Sequence, residues 1–204
     1  YVADLHTAPM LSEWLGDKGS VIEFPITNVA TSKQLAEEIL NQVKPKLVVS
    51  IERCSRTSSD TYLNMRSIEI TQNTARLDYL FEAGIPSVGI GDGGNEIGMG
   101  NLAAIIPTLD KLPKDPAVTR VDQLVIASVS NWGGYGTVAA LSCLVGRNLL
   151  PSIEDDRRLI KHMVDSGAVD GTTGESKFYV DNFTLEENAK LLSRLHGLVE
   201  QRIR

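Results

Sequence analysis

The sequence predicts an α/β fold: an open, mainly parallel sheet with helices on both faces, in a Rossmann-like three-layer arrangement. Three observations lead there. Short, nearly continuous apolar runs such as 47–51 (LVVSI) and 124–129 (LVIASV) read as strands buried on both faces. Segments of helical pattern lie between them, and such alternation marks a parallel sheet. Three of the runs end in polar clusters, and an open α/β sheet binds its ligands beyond the carboxyl ends of its strands.

The elements follow in order. The run 21–24 (VIEF) is the first strand. Thr31-Ser-Lys-Gln34 has the spacing of a capping box and opens a helix to about residue 43. The run 47–51 is the second strand, and a polar loop follows it. A helix is expected over 73–83, stopped by Gly84 and Pro86. Residues 87–90 form the third strand and run into a glycine loop. Residues 124–129 form the fourth and run into SNWGGYG. A helix of small residues is expected over 137–145 and another over 154–165. Thr184-Leu-Glu-Glu187 caps a last helix that runs to the C-terminus. The stretch 167–182 (GAVDGTTGESKFYVDN) reads either as a mobile lid or as an ordinary surface excursion.

The 204 residues fit a single α/β domain over 1–204, and 42% hydrophobic residues suffice for a sizeable core. A net charge of −6 without a basic cluster argues against nucleic acid and anionic membranes as partners. No apolar run reaches the roughly 18 residues of a membrane span. Two cysteines without a CxxC pair suit a reducing compartment: the cytoplasm, or the mitochondrial matrix in a eukaryote. The chain begins at Tyr1, not Met, as a piece of a longer protein would.

The glycine loop GIGDGGNEIGMG (89–100) holds six glycines in twelve residues. Gly89-Ile-Gly91-Asp-Gly-Gly94 matches G-x-G-x-x-G, so a dinucleotide site is the first reading. Three features count against it. Asp92 stands where a pyrophosphate needs bare N–H groups. Glu96 adds a second carboxylate. IGMGN, with two glycines, is a poor helix start. A tight structural turn would explain the glycines but not Asp92, Asn95 and Glu96 together. Parallel strands would bring three clusters to one crevice: Glu52 and Arg53; Asp92, Asn95 and Glu96; Ser130, Asn131 and Trp132.

Among the other candidates, Arg53 and Arg66 offer carboxylate-binding forks, whereas Arg56 reads as solvated surface. Cys54 lies between two arginines that would lower its thiol pKa, yet a buried thiol is the better reading. Cys143 reads as core, His162 as surface and His196 as a helix-boundary residue. The histidines are too far apart in sequence for zinc. Mg²⁺ is the metal the loop carboxylates would suit.

Ile51-Glu-Arg53, Asn64-Met-Arg66, GIGDGGNEIGMG and SNWGGYG, in that order and separation, resemble the D-glutamate cyclase family, in the C-terminal part of the cyclase domain. The resemblance runs from about residue 48 to 136, is strongest in the last two motifs and is weak beyond 150. It implies a lyase that converts D-glutamate to 5-oxo-D-proline and water. It also implies an upstream strand and an acid-containing glycine loop that this chain would start too late to include. An unpaired sheet edge would result, expected to be covered by a homo-oligomer or an N-terminal extension.

For that reaction we assign Asp92 and Glu96 as the acid–base pair, with Glu52 as the third carboxylate. Arg53 or Arg66, with Asn64, would bind a substrate carboxylate. Asn95, Asn131, Ser130 and the N–H groups of Gly93 and Gly94 would steady the oxyanion and the substrate. No cofactor is expected to be required. The rival class is a non-catalytic module for a small anion or nucleotide.

Overall fold

The computed structural model describes residues 1–203. The chain divides into two compact units, Tyr1–Ser130 and Asn131–Arg204. The α/β class holds, and its two main sheets are parallel.

In the first unit, β1 (Val2–Asp4) pairs in parallel with β2 (Ile22–Phe24) through α1 (Ala8–Leu15). Sequence reading passed over β1 and α1, which are short, with only one polar residue in β1 to set a pattern. The expected first strand therefore belongs to a separate two-stranded sheet. The helix α2 (Val29–Val43) begins earlier than the Thr31 capping box suggests. Asn28 is the cap, its side chain accepting the Thr31 N–H at 3.0 Å, and Gln34 turns away to donate to Glu38 at 2.8 Å.

The second sheet has the order β3 (Val48–Ile51), β4 (Ser87–Gly91), β5 (Gln123–Ile126), all parallel. Its register sets Ile51 beside Ile90, and Gly91 beside Ile126, so the carboxyl ends of the three strands share one edge. The helix expected over 73–83 is instead two short 3₁₀ turns, Thr71–Asn73 and Leu77–Phe81. Leu77, Asp78, Tyr79 and Leu80 are all buried. Four consecutive buried residues cannot lie on the single apolar stripe of an amphipathic α-helix.

Asp78 explains the tighter winding. Its carboxylate, fully buried, accepts the Tyr62 hydroxyl and the Arg56 guanidinium, the latter at 2.5 Å. Arg56 also pairs with Glu82 and lies over the Tyr79 ring, 4.9 Å from its centroid. The expectation of a solvated Arg56 is thus overturned: a buried carboxylate requires a partner cation.

In the second unit, α3 (Ser130–Val145) starts seven residues before the expected 137, with Gly133, Gly134 and Gly136 in its first turns. Packing outweighs their poor propensity. Within this unit Trp132 meets the Phe183 ring at 4.6 Å and donates to Asn188 at 2.7 Å, while Tyr135 donates to the buried Asp156. Ser152 caps α4 (Ile153–Asp165). Thr184 and Glu187 form the expected capping box of α5 (Leu185–Ile203), with the Glu187 carboxylate accepting the Thr184 N–H and the Thr184 hydroxyl accepting the Glu187 N–H.

His196 lies inside α5, not at its boundary, with its ring nitrogens bonded to the Asn148 amide at 2.8 Å and the Pro151 carbonyl at 3.0 Å. His162 is half-buried rather than a surface residue.

The stretch 167–182 is tied down at Asp170, whose carboxylate accepts the N–H and O–H of Thr173 and the N–H of Asn182. It ends in a hairpin of β6 (Tyr179–Val180) and β7 (Phe183–Thr184). Asp181 and Asn182 turn the hairpin with φ of 48° and 68°. Two positive φ values between two strands are the signature of a type I′ turn, which Asn and Asp tolerate.

Asp156 supplies a pH prediction. Burial pushes its carboxyl up, against the Tyr135 hydrogen bond and Arg157, and its Oδ2 has no partner among the described residues. A group raised in the folded state contributes stability that is present below its unfolded pKa and lost as pH rises through its folded pKa. Asp156→Asn keeps the acceptor for Tyr135 and cannot ionise. Melting curves of parent and variant should therefore diverge in the variant's favour as pH rises from about 4 to 8. A difference that stays constant with pH would show that folding leaves the Asp156 carboxyl unshifted, its burial fully compensated.

Candidate functional site

The glycine loop leaves β4 at the carboxyl edge and folds back beneath it. Cys54 and Glu96 form an antiparallel bridge, the Ile97 N–H donates to the Arg53 carbonyl at 2.8 Å, and the N–H groups of Gly98 and Gly100 both donate to the Thr119 carbonyl. This return requires bare backbone. A Cβ on Gly89 would stand 2.5 Å from the Ile97 carbonyl oxygen, and one on Gly100 would stand 2.3 Å from that of Val118.

The fold-back carries Glu96 inward, where it is 3% exposed. Its Oε1 accepts the N–H of Asp92 at 3.1 Å and of Gly93 at 2.6 Å. These are the donors that a G-x-G-x-x-G loop would give to a phosphate. Here the chain's own carboxylate fills the cradle. Oε2 is buried without a hydrogen-bond partner among the described residues. Burial pushes the Glu96 carboxyl above the usual range and the Asp92 charge adds to this, while the two backbone N–H groups oppose it.

Asp92 is half-buried. Its Oδ2 accepts both the N–H of Ser130 at 2.7 Å and its hydroxyl at 3.0 Å. Glu52 follows β3 as Asp92 follows β4, is exposed, and holds φ at 53°. A positive φ on a non-glycine residue is unfavourable and clusters at functional sites. Carboxylate oxygens of Glu52 and Asp92 lie within 4.8 Å of one another. Such a pair is one that Mg²⁺ accepts.

The remaining candidates are placed as follows. Arg53 donates to Asp4 at 2.7 Å and to the Ala75 carbonyl at 2.8 Å, so its fork is turned into the fold. Asn64 accepts the N–H groups of Arg66 and Ile68 and shapes the turn on which Arg66 is exposed. Asn95 donates its amide to the Leu63 carbonyl at 3.0 Å. Gly93 gives its N–H to Glu96, and Gly94 takes φ of 89°. Ser130 is fully buried, and Asn131 opens the second unit within α3. Burial pushes the Cys54 thiol up to about 11, which makes it a poor nucleophile.

Sequence reading missed Asp4, the buried partner of Arg53. Burial would raise its carboxyl, but Arg53 holds it below the usual range.

The sequence profile described as "D-glutamate cyclase-like, C-terminal" matches residues 3–196. The chain belongs to this family. The match extends through the second unit, well beyond the 48–136 stretch in which the motifs alone are legible. Human "D-glutamate cyclase, mitochondrial" is 40% identical over an alignment of 106 residues that covers 48% of this chain and 17% of the human protein. The chain thus aligns with about one sixth of that relative's length. No helix among the described residues is long and apolar enough to cross a membrane.

Proposed function

We propose that the chain carries a site that closes D-glutamate to 5-oxo-D-proline with release of water, a hydro-lyase reaction. The observation that supports this most is the Asp92–Glu96 pair, two carboxylates on one short turn in unequal environments. The reaction forms a bond between the amine nitrogen and the γ-carboxyl carbon and breaks one of that carbon's bonds to oxygen. The ammonium gives up two protons, and the departing oxygen leaves as water with two. One group must therefore take a proton from nitrogen and another must give one to oxygen.

Burial suits Glu96 to be the donor, and the half-exposed Asp92 to be the acceptor. Glu96 reaches the substrate when the turn above it, bare at Gly93 and Gly94, yields to the ligand. Arg66, exposed on the turn that Asn64 shapes, takes a substrate carboxylate. A non-catalytic module for anions would need the N–H groups of Asp92 and Gly93, which Glu96 occupies.

Incubating the chain with D-glutamate while following the loss of primary amine tests this reading. Amine should disappear at the same rate with and without a chelator, because no step requires a metal. Binding of D-glutamate by calorimetry with no loss of amine would give the non-catalytic reading instead.

A further inference from the structure

Ser130 stands in the SNWGGYG motif, where sequence reading places it on the substrate. The structure puts it out of reach, fully buried, with both of its donors on one oxygen of Asp92. We propose that Ser130 is a positioning residue that never meets the substrate and acts by clamping Asp92, with Oδ2 held inward and Oδ1 presented for reaction. This rests on the proposed role of Asp92 in cyclisation.

Three observations support the clamp. Two donors from one residue on one oxygen fix the side-chain torsions of Asp92, whereas a single bond would leave the plane of the carboxylate free to turn. Oδ1 accepts no hydrogen bond from the described residues, so the clamp engages one oxygen and spares the other. The segment that delivers Ser130 is itself anchored, since the Ala127 N–H donates to the Gly91 carbonyl at 3.2 Å and Val129 is fully buried.

The same device occurs at the amino end of the sheet. There the N–H and hydroxyl of Ser87 donate to Oδ2 of Asp122 at 2.8 and 2.9 Å, and the Asp122 N–H returns a bond to the Ser87 hydroxyl at 3.0 Å. That copy lies at the strand ends opposite the candidate site. It provides an internal control for what the clamp contributes to folding alone.

The experiment compares Ser130→Ala, Ser130→Cys and Ser87→Ala in the full chain. Losing a hydrogen bond to a charged group weakens the charged form and loosens its placement. Ser130→Ala should lower kcat for D-glutamate about tenfold and leave KM within about twofold. Ser130→Cys keeps the shape with a weaker donor and should fall in between, which also guards against a folding defect in the alanine variant. Ser87→Ala should lower the melting temperature as Ser130→Ala does and leave kcat unchanged.

A rise in KM with unchanged kcat in Ser130→Ala would place Ser130 on the substrate and overturn the proposal. So would an equal loss of kcat in Ser87→Ala. The carbon-13 resonance of the Asp92 carboxyl gives a readout independent of turnover. If the parent does not cyclise D-glutamate but this resonance shifts and broadens in Ser130→Ala and not in Ser87→Ala, the clamp stands and the proposed function falls. A resonance unchanged in Ser130→Ala overturns the clamp itself.

Discussion

Asp92→Asn should reduce cyclisation of D-glutamate by roughly a hundredfold or more, about 2.7 kcal/mol of barrier, with the fold intact. The substitution preserves size and keeps an oxygen for the two donors of Ser130, so the packing of the 127–130 segment has no reason to change. What it removes is the group proposed to take a proton from the substrate ammonium. It also removes a charge that adds to the upward push of burial on the neighbouring Glu96 carboxyl, so both halves of the pair are affected by one change. Steady-state rates with circular dichroism as the folding control decide the matter. Activity within twofold of the parent would remove Asp92 from the mechanism.

Gly100→Ala should produce the largest loss of stability, about 3 kcal/mol, as forced overpacking against rigid neighbours does. For a chain of this length that lowers the melting temperature by about 10 °C. The added Cβ would sit 2.3 Å from the Val118 carbonyl oxygen and 2.7 Å from that of Thr119. Both are backbone atoms and neither can rotate aside. Thr119 is also the acceptor for the Gly98 and Gly100 N–H groups, so relieving the clash means lifting the loop off the 118–119 segment. That loop carries Glu96, and activity should fall along with stability. Gly84→Ala is the contrasting case: its φ of 71° strains a side chain, but a Cβ there meets nothing within 4 Å. Its melting temperature should drop by less, as differential scanning calorimetry will show. Equal melting temperatures for Gly100→Ala and the parent would mean that the close approach at Val118 does not exist in solution.

The strands of the second sheet were legible as short apolar runs, 47–51 and 87–90, but the expectation that both faces are buried fails for β3, where Val49 and Ile51 are 50% and 52% exposed. The capped helices α4 and α5 were legible for a local reason, since their caps lie within three residues of the groups they satisfy. What failed depends on partners far away in sequence. The turn at 77–81 is wound tightly around the contacts of Asp78 with Arg56 and Tyr62, separated from it by 22 and 16 residues. The early start of α3 rests on Trp132 and Tyr135 finding Asn188 and Asp156. The hairpin at 179–184 did carry a local signal, Asp181-Asn182 between Tyr-Val and Phe-Thr, which was passed over inside a polar stretch.

At the candidate site, the polar residues after the strands could be read from the chain. Their division of labour could not. Nothing in DGGNE says that Glu96 turns back onto the Asp92 and Gly93 N–H groups, or that Arg53 is taken by Asp4. Glycines of this loop were expected to turn their N–H groups toward a substrate. At positions 89 and 100 they make room for the protein's own backbone.

The central claim is that this chain cyclises D-glutamate through the carboxylate pair of the glycine turn. The most direct measurement is chiral chromatography of 5-oxoproline formed when the full chain is incubated with D-glutamate and, separately, with L-glutamate. The account predicts 5-oxo-D-proline in proportion to enzyme and time from the D-enantiomer, at a rate that collapses in Asp92→Asn. Formation of 5-oxoproline at the spontaneous rate from both enantiomers, or at an undiminished rate in the Asp92→Asn variant, would contradict it.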